Sequence, residues 1–329
     1  MRSLPFYPMM VLLLVGLGGY LGCDPNSMQV PTESTGEFVS TSATSPATAA
    51  NYQGSIPDRT TSTILIGSFN LERLGPSKLE DPWVMEKFAE IVRRFDVIAI
   101  QEVTSKDQRT VPLLVELINR AGVNYSYTIS PRVGRESSGY YEQYAFIFDT
   151  VRIHSGPKFC YPVQDDADML HREPFVGRFE TISNQPFSFT LINMHTDPGE
   201  IGYELDVLAD VFVNVRQFEY PEDDVMLLGD LNADPSKFQK LGRIPGLAPL
   251  IVGTPTNTRK NKTLDNVLAD RQHTREFTGR VGVMDLEQVF RLQLTDVERI
   301  SDHLPVWAEF SISEQPPAYT ASAVGGVVR

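Results

Sequence analysis

Apolar residues fall in short dense runs separated by polar turns, and the period of the runs changes along the chain. The run Ile64-Leu65-Ile66-Gly67-Ser68-Phe69, entered at Thr63, reads as a compact strand. Pro82 then opens a predicted helix through Arg94, because Trp83, Phe88, Ile91 and Val92 give it one apolar face. Val97-Ile98-Ala99-Ile100 reads as the next buried strand, and Val111 to Arg120 follows with a helical pattern. β-branched and aromatic residues mark strands at Tyr125–Ile129, Ala145–Phe148 and Phe187–Ile192. Leu205, Leu208, Phe212 and Val215 stand at helical spacing ahead of a strand at Val225–Leu228. Two further strands are predicted at Leu264–Leu268 and Pro305–Ile312. Mixed strands and helices without an internal repeat predict one α/β domain over 63–313.

The flanks have another texture. Arg2 precedes an apolar run from Met9 to Leu17 that is too short to span a bilayer comfortably, which is the shape of a secretory signal. It ends in Tyr20-Leu21-Gly22-Cys23, which resembles a bacterial lipoprotein cleavage site, with Tyr20 where such sites usually carry leucine. The expectation is an exported protein, periplasmic or at the cell surface, with residues 1–23 as signal and a lipid on Cys23 as its membrane tether. Ordinary secretion, with Cys23 a bystander, is the alternative. Residues 24–62, rich in Ser, Thr, Pro and Ala and without an apolar period, read as a flexible tether. Residues 314–329 read as a disordered tail.

Charge and cysteine content narrow the chemistry. A formal net charge of −13 argues against a protein that grips nucleic acid through a general basic surface. It leaves room for carboxylates that hold divalent cations, since the ions invert the local field. With two cysteines, Cys23 and Cys160, there is no disulfide framework, and Cys160 is expected to behave as a small apolar residue.

Polar residues cluster at the ends of the predicted strands. Asn70 closes one in Ser68-Phe69-Asn70-Leu71, Glu102 another in Ile100-Gln101-Glu102-Val103, and His195 a third in Ile192-Asn193-Met194-His195. Asp230 and Asn232 follow a strand in Gly229-Asp230-Leu231-Asn232, and the last strand is entered through Ser301-Asp302-His303-Leu304-Pro305-Val306. Singly, each is a turn residue or a hydrogen-bonded structural histidine. Packing of a core does not account for all of them in this order, each capping an apolar strand.

The ordered set resembles the endonuclease/exonuclease/phosphatase superfamily over essentially the whole of 63–313. Tyr140-Tyr141-Glu142-Gln143-Tyr144 and Arg172-Glu173-Pro174 are similar to the Tyr-x-Glu-x-Tyr and Arg-Glu-Pro motifs of its deoxyribonuclease I branch. The resemblance implies an α/β fold of two packed mixed β-sheets flanked by helices, a four-layer sandwich. It implies Glu102 and Asp302 as principal metal ligands, with Asp230, Asn232 and Asn70 on metal or scissile phosphate. His195 paired with Glu142 and His303 paired with Asp265 would share the acid–base work. Arg172 would contact phosphate through its planar donor fork, and Tyr140 would help to bind substrate. Such oxygen ligands suit magnesium or manganese, with calcium as a further structural ion. Asp165-Asp166-Ala167-Asp168 reads either as a calcium-binding loop or as a solvated one. Glu142, Asp265 and Arg172 have bland readings too, as a surface charge, a turn residue and a structural ion pair.

The match has departures. Thr104 stands two past Glu102, where deoxyribonuclease I commonly has an arginine that enters the minor groove, with Lys106 further on. Arg132 and Arg135 would substitute as phosphate contacts or be loop charges, and Arg259-Lys260-Asn261-Lys262 is the one dense basic run. The leading expectation is therefore a metal-dependent endonuclease acting on DNA. The alternatives are a related phosphodiesterase or phosphatase for a small or lipid-linked phosphate, and a non-catalytic binding protein of the same fold.

Overall fold

Alternation along each strand assigns its side chains to one of two apolar layers, and a computed structural model shows both across residues 50–53 and 55–315. The strands are β1 (Ala50–Gln53), β2 (Thr63–Leu74), β3 (Val97–Val103), β4 (Tyr125–Ile129), β5 (Gln143–Asp149), β6 (Ile153–His154) and β7 (Cys160–Pro162). They continue as β8 (Phe175–Thr181), β9 (Ser188–His195), β10 (Val225–Asp230), β11 (Leu247–Pro249), β12 (Asp265–Asp270), β13 (Phe277–Val283) and β14 (Val306–Ser311). The helices are α1 (Pro76–Leu79), α2 (Pro82–Val92), α3 (Thr110–Asn119), α4 (Ile201–Glu219), α5 (Leu286–Phe290) and α6 (Leu294–Ile300).

One mixed sheet runs β1-β13-β14-β2-β3-β5-β4, and the other β11-β12-β10-β9-β8-β6 with β7 on β8. Phe146 of the first sheet stacks on Phe175 of the second, and Phe187 on Phe310, so the sheets pack face to face. Phe69 turns the other way and meets Phe88 of α2 edge-on. In β9, Phe189 and Leu191 join this large core, while Ile192 and Met194 join a second one. There they meet Leu205, Leu208, Phe212 and Val215 of α4. The four layers expected from the resemblance are thus present. Replacing Phe146 at their centre by alanine would cost about 3–5 kcal/mol.

Most predicted elements lie where the pattern put them. α2 starts at Pro82 because Asp81 caps it, accepting from the backbone N–H groups of Trp83 and Val84. β8 and β13 carry too little alternation to be read: Gly177 and Arg178 interrupt one, Gly279 and Arg280 the other.

The tether reading requires a correction at its far end. β1 pairs in parallel with β13, and Arg59 donates to Asp96, Asp149 and the hydroxyl of Tyr125. That segment is held by backbone pairing and charge, which no apolar period signals. Likewise Glu314 N–H donates to Gln185 O and Gln315 N–H to Glu276 Oε1, so the first residues assigned to the tail belong to the domain. The expected signal, Cys23, most of the tether and the rest of the tail lie outside the described residues. Among the described residues no helix is long and apolar enough to cross a membrane.

Candidate active site

Parallel pairing brings the functional residues to one rim. β2 runs parallel to β3 and β9 to β10, so Asn70, Glu102, His195 and Asp230 sit at carboxyl ends of neighbouring strands. β12 is antiparallel and begins at Asp265, and register sets Asp230 between His195 on one side and Asp265 on the other. Gly229 permits this closeness: its φ is +144°, and a Cβ there would lie 1.8 Å from Met194 O. Just beneath the rim, Gln101 Nε2 donates to Asn193 Oδ1 (2.7 Å). Asn193 Nδ2 in turn donates to the carbonyls of Ile100 and Ala145. The sheets are therefore joined by hydrogen bonds where the apolar core ends.

Two histidine–carboxylate pairs face each other across Asp230. His195 Nδ1 lies 3.1 and 3.2 Å from the oxygens of Glu142. His303 Nδ1 lies 2.9 Å from Asp265 Oδ2. The two Nε2 atoms converge on Asp230 Oδ2, at 3.5 Å from His195 and 3.4 Å from His303. Asn70 Nδ2 also donates to Asp230 Oδ2 (3.1 Å), and Asn232 N–H donates to Oδ1. Asp230, Asp265 and His303 together have the spacing of a metal trio. His303 and Asp265 are already committed to each other by a 2.9 Å contact.

Burial works against charge on every one of these groups, and their neighbours decide the outcome. Burial opposes ionisation of Asp230, but His303 and His195 outweigh it and bring its carboxyl below the ordinary range. Burial would likewise strip His303 of its proton, yet Asp265 and Asp230 raise it well above the usual imidazole value. His195 is raised by Glu142 against the same penalty, and Glu142 is lowered in return. At Asp265 burial and the charge of Asp230 prevail over the pull of His303 and raise the carboxyl. Burial and Asp230 thus favour the proton on Asp265, Asp265 and Asp230 favour it on His303, and His303 Nδ1 faces Asp265 Oδ2. This arrangement fixes each imidazole with Nδ1 on a carboxylate and Nε2 toward the centre.

Neighbouring side chains hold the pairs in place. Arg172 Nε and the Tyr144 hydroxyl both bind the backbone of His195, at its carbonyl (2.9 Å) and its N–H (3.1 Å). Arg172 Nη2 is buried without a partner, a donor aimed at an acceptor that the protein does not supply. Thr256 Oγ1 donates to Asp265 Oδ2 (2.7 Å), and Ser301 Oγ joins Asn70 O to the N–H of His303. Hydroxyls that fix a carboxylate from another loop leave no periodic trace in the sequence.

The expected metal ligands lie on one side of this centre. Glu102 accepts from Asn70 Nδ2 (3.0 Å) and from Arg73 N–H (2.9 Å). With Asp302, Glu72, Arg73 and Lys78 it lines an open cleft of about 610 Å³. Asp302 is exposed, 3.7 Å from His303 Nε2. Glu72, Arg73 and Glu102 all have positive φ, so backbone strain of about 1–3 kcal/mol each gathers around the cleft. Two carboxylates in a solvated cleft fit magnesium or manganese, which keep several waters and take one or two carboxylates. The side-chain amide of Asn232 donates to Thr196 O. Tyr140 links the halves: its hydroxyl is 3.4 Å from Glu102 Oε2, and its ring lies beneath the Arg172 guanidinium.

The basic candidates are largely committed elsewhere. Arg132 donates to the carbonyls of Thr104, Ser105 and Tyr141, bracing the loop after β3. Arg135 pairs with Glu200 and Asp168. In the basic run, Arg259 pairs with Glu298, and Lys260 with Asp285 and Glu287. Nor do the carboxylates of 165–168 converge: Asp165 accepts from Leu170 N–H, Asp166 from Gln164, and Asp168 pairs with Arg135.

A family model described as Endonuclease/Exonuclease/phosphatase family matches residues 67–303, which contain every group named in the two histidine pairs. The chain belongs to this family. Deoxyribonuclease-1-like 1 of Sus scrofa is 33% identical over 259 residues, 75% of this chain and 80% of that relative. Deoxyribonuclease gamma of Homo sapiens is 32% identical over 276 residues, 78% and 88% of the two chains. These relatives place this endonuclease/exonuclease/phosphatase protein in the deoxyribonuclease I-like branch. Its fold matches a solved family member from Bacteroides thetaiotaomicron with a TM-score of 0.53 at 16% identity, over 77% of this chain and 99% of that one.

Proposed function

We infer that the protein is a metal-dependent phosphodiesterase, an endonuclease that hydrolyses DNA at the rim holding His195 and His303. The observation that carries this reading is the convergence of two carboxylate-backed imidazoles on one point at Asp230 Oδ2. Hydrolysis of a phosphodiester needs one proton taken from water and one given to the leaving alkoxide. Two imidazoles facing one centre, each oriented through Nδ1, supply both functions. A scissile phosphate seated there accepts from the unpartnered Nη2 of Arg172, which Tyr140 steadies, while the Asn70 amide, which donates to Glu102 and Asp230, orients those two carboxylates. Magnesium or manganese held by Glu102 and Asp302 would neutralise charge growing on the phosphoryl oxygens. Asp230 and Asn232 border the same space from the β10 side.

A second reading has its own observation. Arg259 and Lys260 are neutralised by acidic partners, and Thr104 stands where an arginine would enter a groove. A small or lipid-linked phosphodiester needs no extended basic surface. Export and attachment through Cys23 remain part of the proposal, resting on the N-terminal sequence.

The deciding experiment mixes the full chain with supercoiled plasmid and magnesium, manganese, calcium or chelator, beside His195→Ala. Metal-dependent nicking that is lost in the variant is the expected result. Hydrolysis of bis(p-nitrophenyl) phosphate with no nicking would replace DNA by a small substrate. Full activity in His195→Ala would overturn the site.

A further inference from the structure

A second cluster of carboxylates lies at the opposite end of the sandwich, and the histidine chemistry does not use it. Asp224 immediately precedes β10, Glu276 precedes β13, and Glu314 follows β14. Each offers an oxygen within 4.8 Å of the others. Six residues of extended strand separate Asp224 from Asp230, or about 20 Å at ~3.3 Å per residue.

The backbone around the cluster is well fixed. Asp224 O accepts from Thr190 N–H (2.9 Å), and Glu314 N–H donates to Gln185 O (3.0 Å). Asp224 N–H donates to Glu222 Oε1, and Ser188 Oγ donates to Glu222 Oε2, so Glu222 is satisfied and acts as a brace. Glu276 uses Oε1 to accept from Gln315 N–H (2.6 Å). Thr274 lies against the Asp224 carboxyl and the Ser188 backbone against that of Glu314, yet two oxygens remain unsatisfied. Asp224 Oδ1 and Glu276 Oε2 are buried with no donor, on residues only 1% and 2% exposed. Anionic oxygens in that state are costly unless a proton or a cation joins them.

The charges nearby make the position worse. Burial and then Glu276 push the Asp224 carboxyl up to about 9. Burial and then Glu276 and Glu222 push Glu314 up to about 7. A single cation would relieve all three groups at once, and the donor set is oxygen throughout. Calcium takes six to eight oxygens in irregular geometry and accepts water as part of the shell, whereas magnesium demands a near-ideal octahedron.

We propose that Asp224, Glu276 and Glu314 bind one calcium ion, which clamps the end of the domain at Glu314 onto the starts of β10 and β13. The site is structural, and it stands whether or not the chain proves to be a nuclease.

Thermal unfolding of the full chain, stripped with chelator and returned to calcium or magnesium, tests the proposal. With calcium at ~100 times its Kd the Tm should rise by about 5–10 °C, and magnesium should give less. Glu276→Gln should lose that rise, and in chelator it should melt no lower than the native chain because it removes a repulsive charge. Glu102→Gln should keep the rise, which separates this site from the cleft. Glu314→Gln alters an exposed side chain, so it should fold normally while binding calcium at least ~10-fold more weakly by titration calorimetry. A calcium response absent from the native chain, or unchanged in Glu276→Gln and Glu314→Gln, would overturn the proposal in favour of protons shared among the carboxyls.

Discussion

β10 ends in one buried aspartate and is immediately preceded by another, and the two behave in opposite ways. Asp230 is 1% exposed and so is Asp224, so desolvation alone would treat them alike. Asp230 is ringed by donors: Asn70 Nδ2, the N–H of Asn232 and two imidazoles, which hold its carboxyl below the ordinary range. Asp224 faces Glu276, Glu222 and Asp223, and its carboxyl is pushed up to about 9. The contrast teaches that burial sets the cost of a charge and neighbours set its sign. At one rim the anion is already balanced by protein groups that can move protons. At the other it awaits a counter-ion.

The comparison breaks most visibly at the histidines. His195→Ala and His303→Ala should each lower turnover about 10²–10⁴-fold with an unchanged far-ultraviolet spectrum, read by plasmid nicking. Near-native rates in either would remove the paired-imidazole scheme. Next in size is the exchange of the two aspartates. Asp230→Asn turns an amide N–H toward Asn70 Nδ2 and the imidazoles, so it should cut activity on the order of 10²-fold and cost about 1–3 kcal/mol of stability. Asp224→Asn should leave activity unchanged and, in chelator, raise Tm by about 2–4 °C. Equal behaviour of the two variants would show that their surroundings do not differ as described. Arg172→Lys keeps the charge but loses the planar fork, and a fall in kcat/KM of about 10-fold is expected.

The smallest effect is a slope with pH. In chelator the folded Asp224 carboxyl titrates near 9, far above the ~3.9 of an unfolded chain. Its folded form binds the extra proton, so the stability it contributes is full below pH ~4 and is lost as pH rises toward 9. Melting of the chelated chain should therefore weaken across that window, and Asp224→Asn should flatten the decline. An identical slope in native and variant chains would assign the proton elsewhere.

Much of this was legible in the residues. The apolar runs located α2, α3, α4 and most central strands, because a strand buried on both faces or a helix buried on one leaves a strong local pattern. His195, His303, Asp230 and Glu102 stood out because each follows or precedes such a run, and the family resemblance supplied Glu142 and Asp265 as expected partners of the histidines. Tyr144, Thr256 and Ser301 could not be given their roles, since each acts on a residue from another element. The same holds for β1 and Arg59, held by pairing and charge with no apolar period. Asp224, Glu276 and Glu314 read as ordinary acidic residues in sequence. Sequence by itself determined where most central strands and long helices lie and which polar residues end them, because local period and residue type are one-dimensional properties. Tertiary structure alone decided the charge of each buried carboxylate. Electrostatic energy depends on distances of a few ångströms between groups brought together by folding.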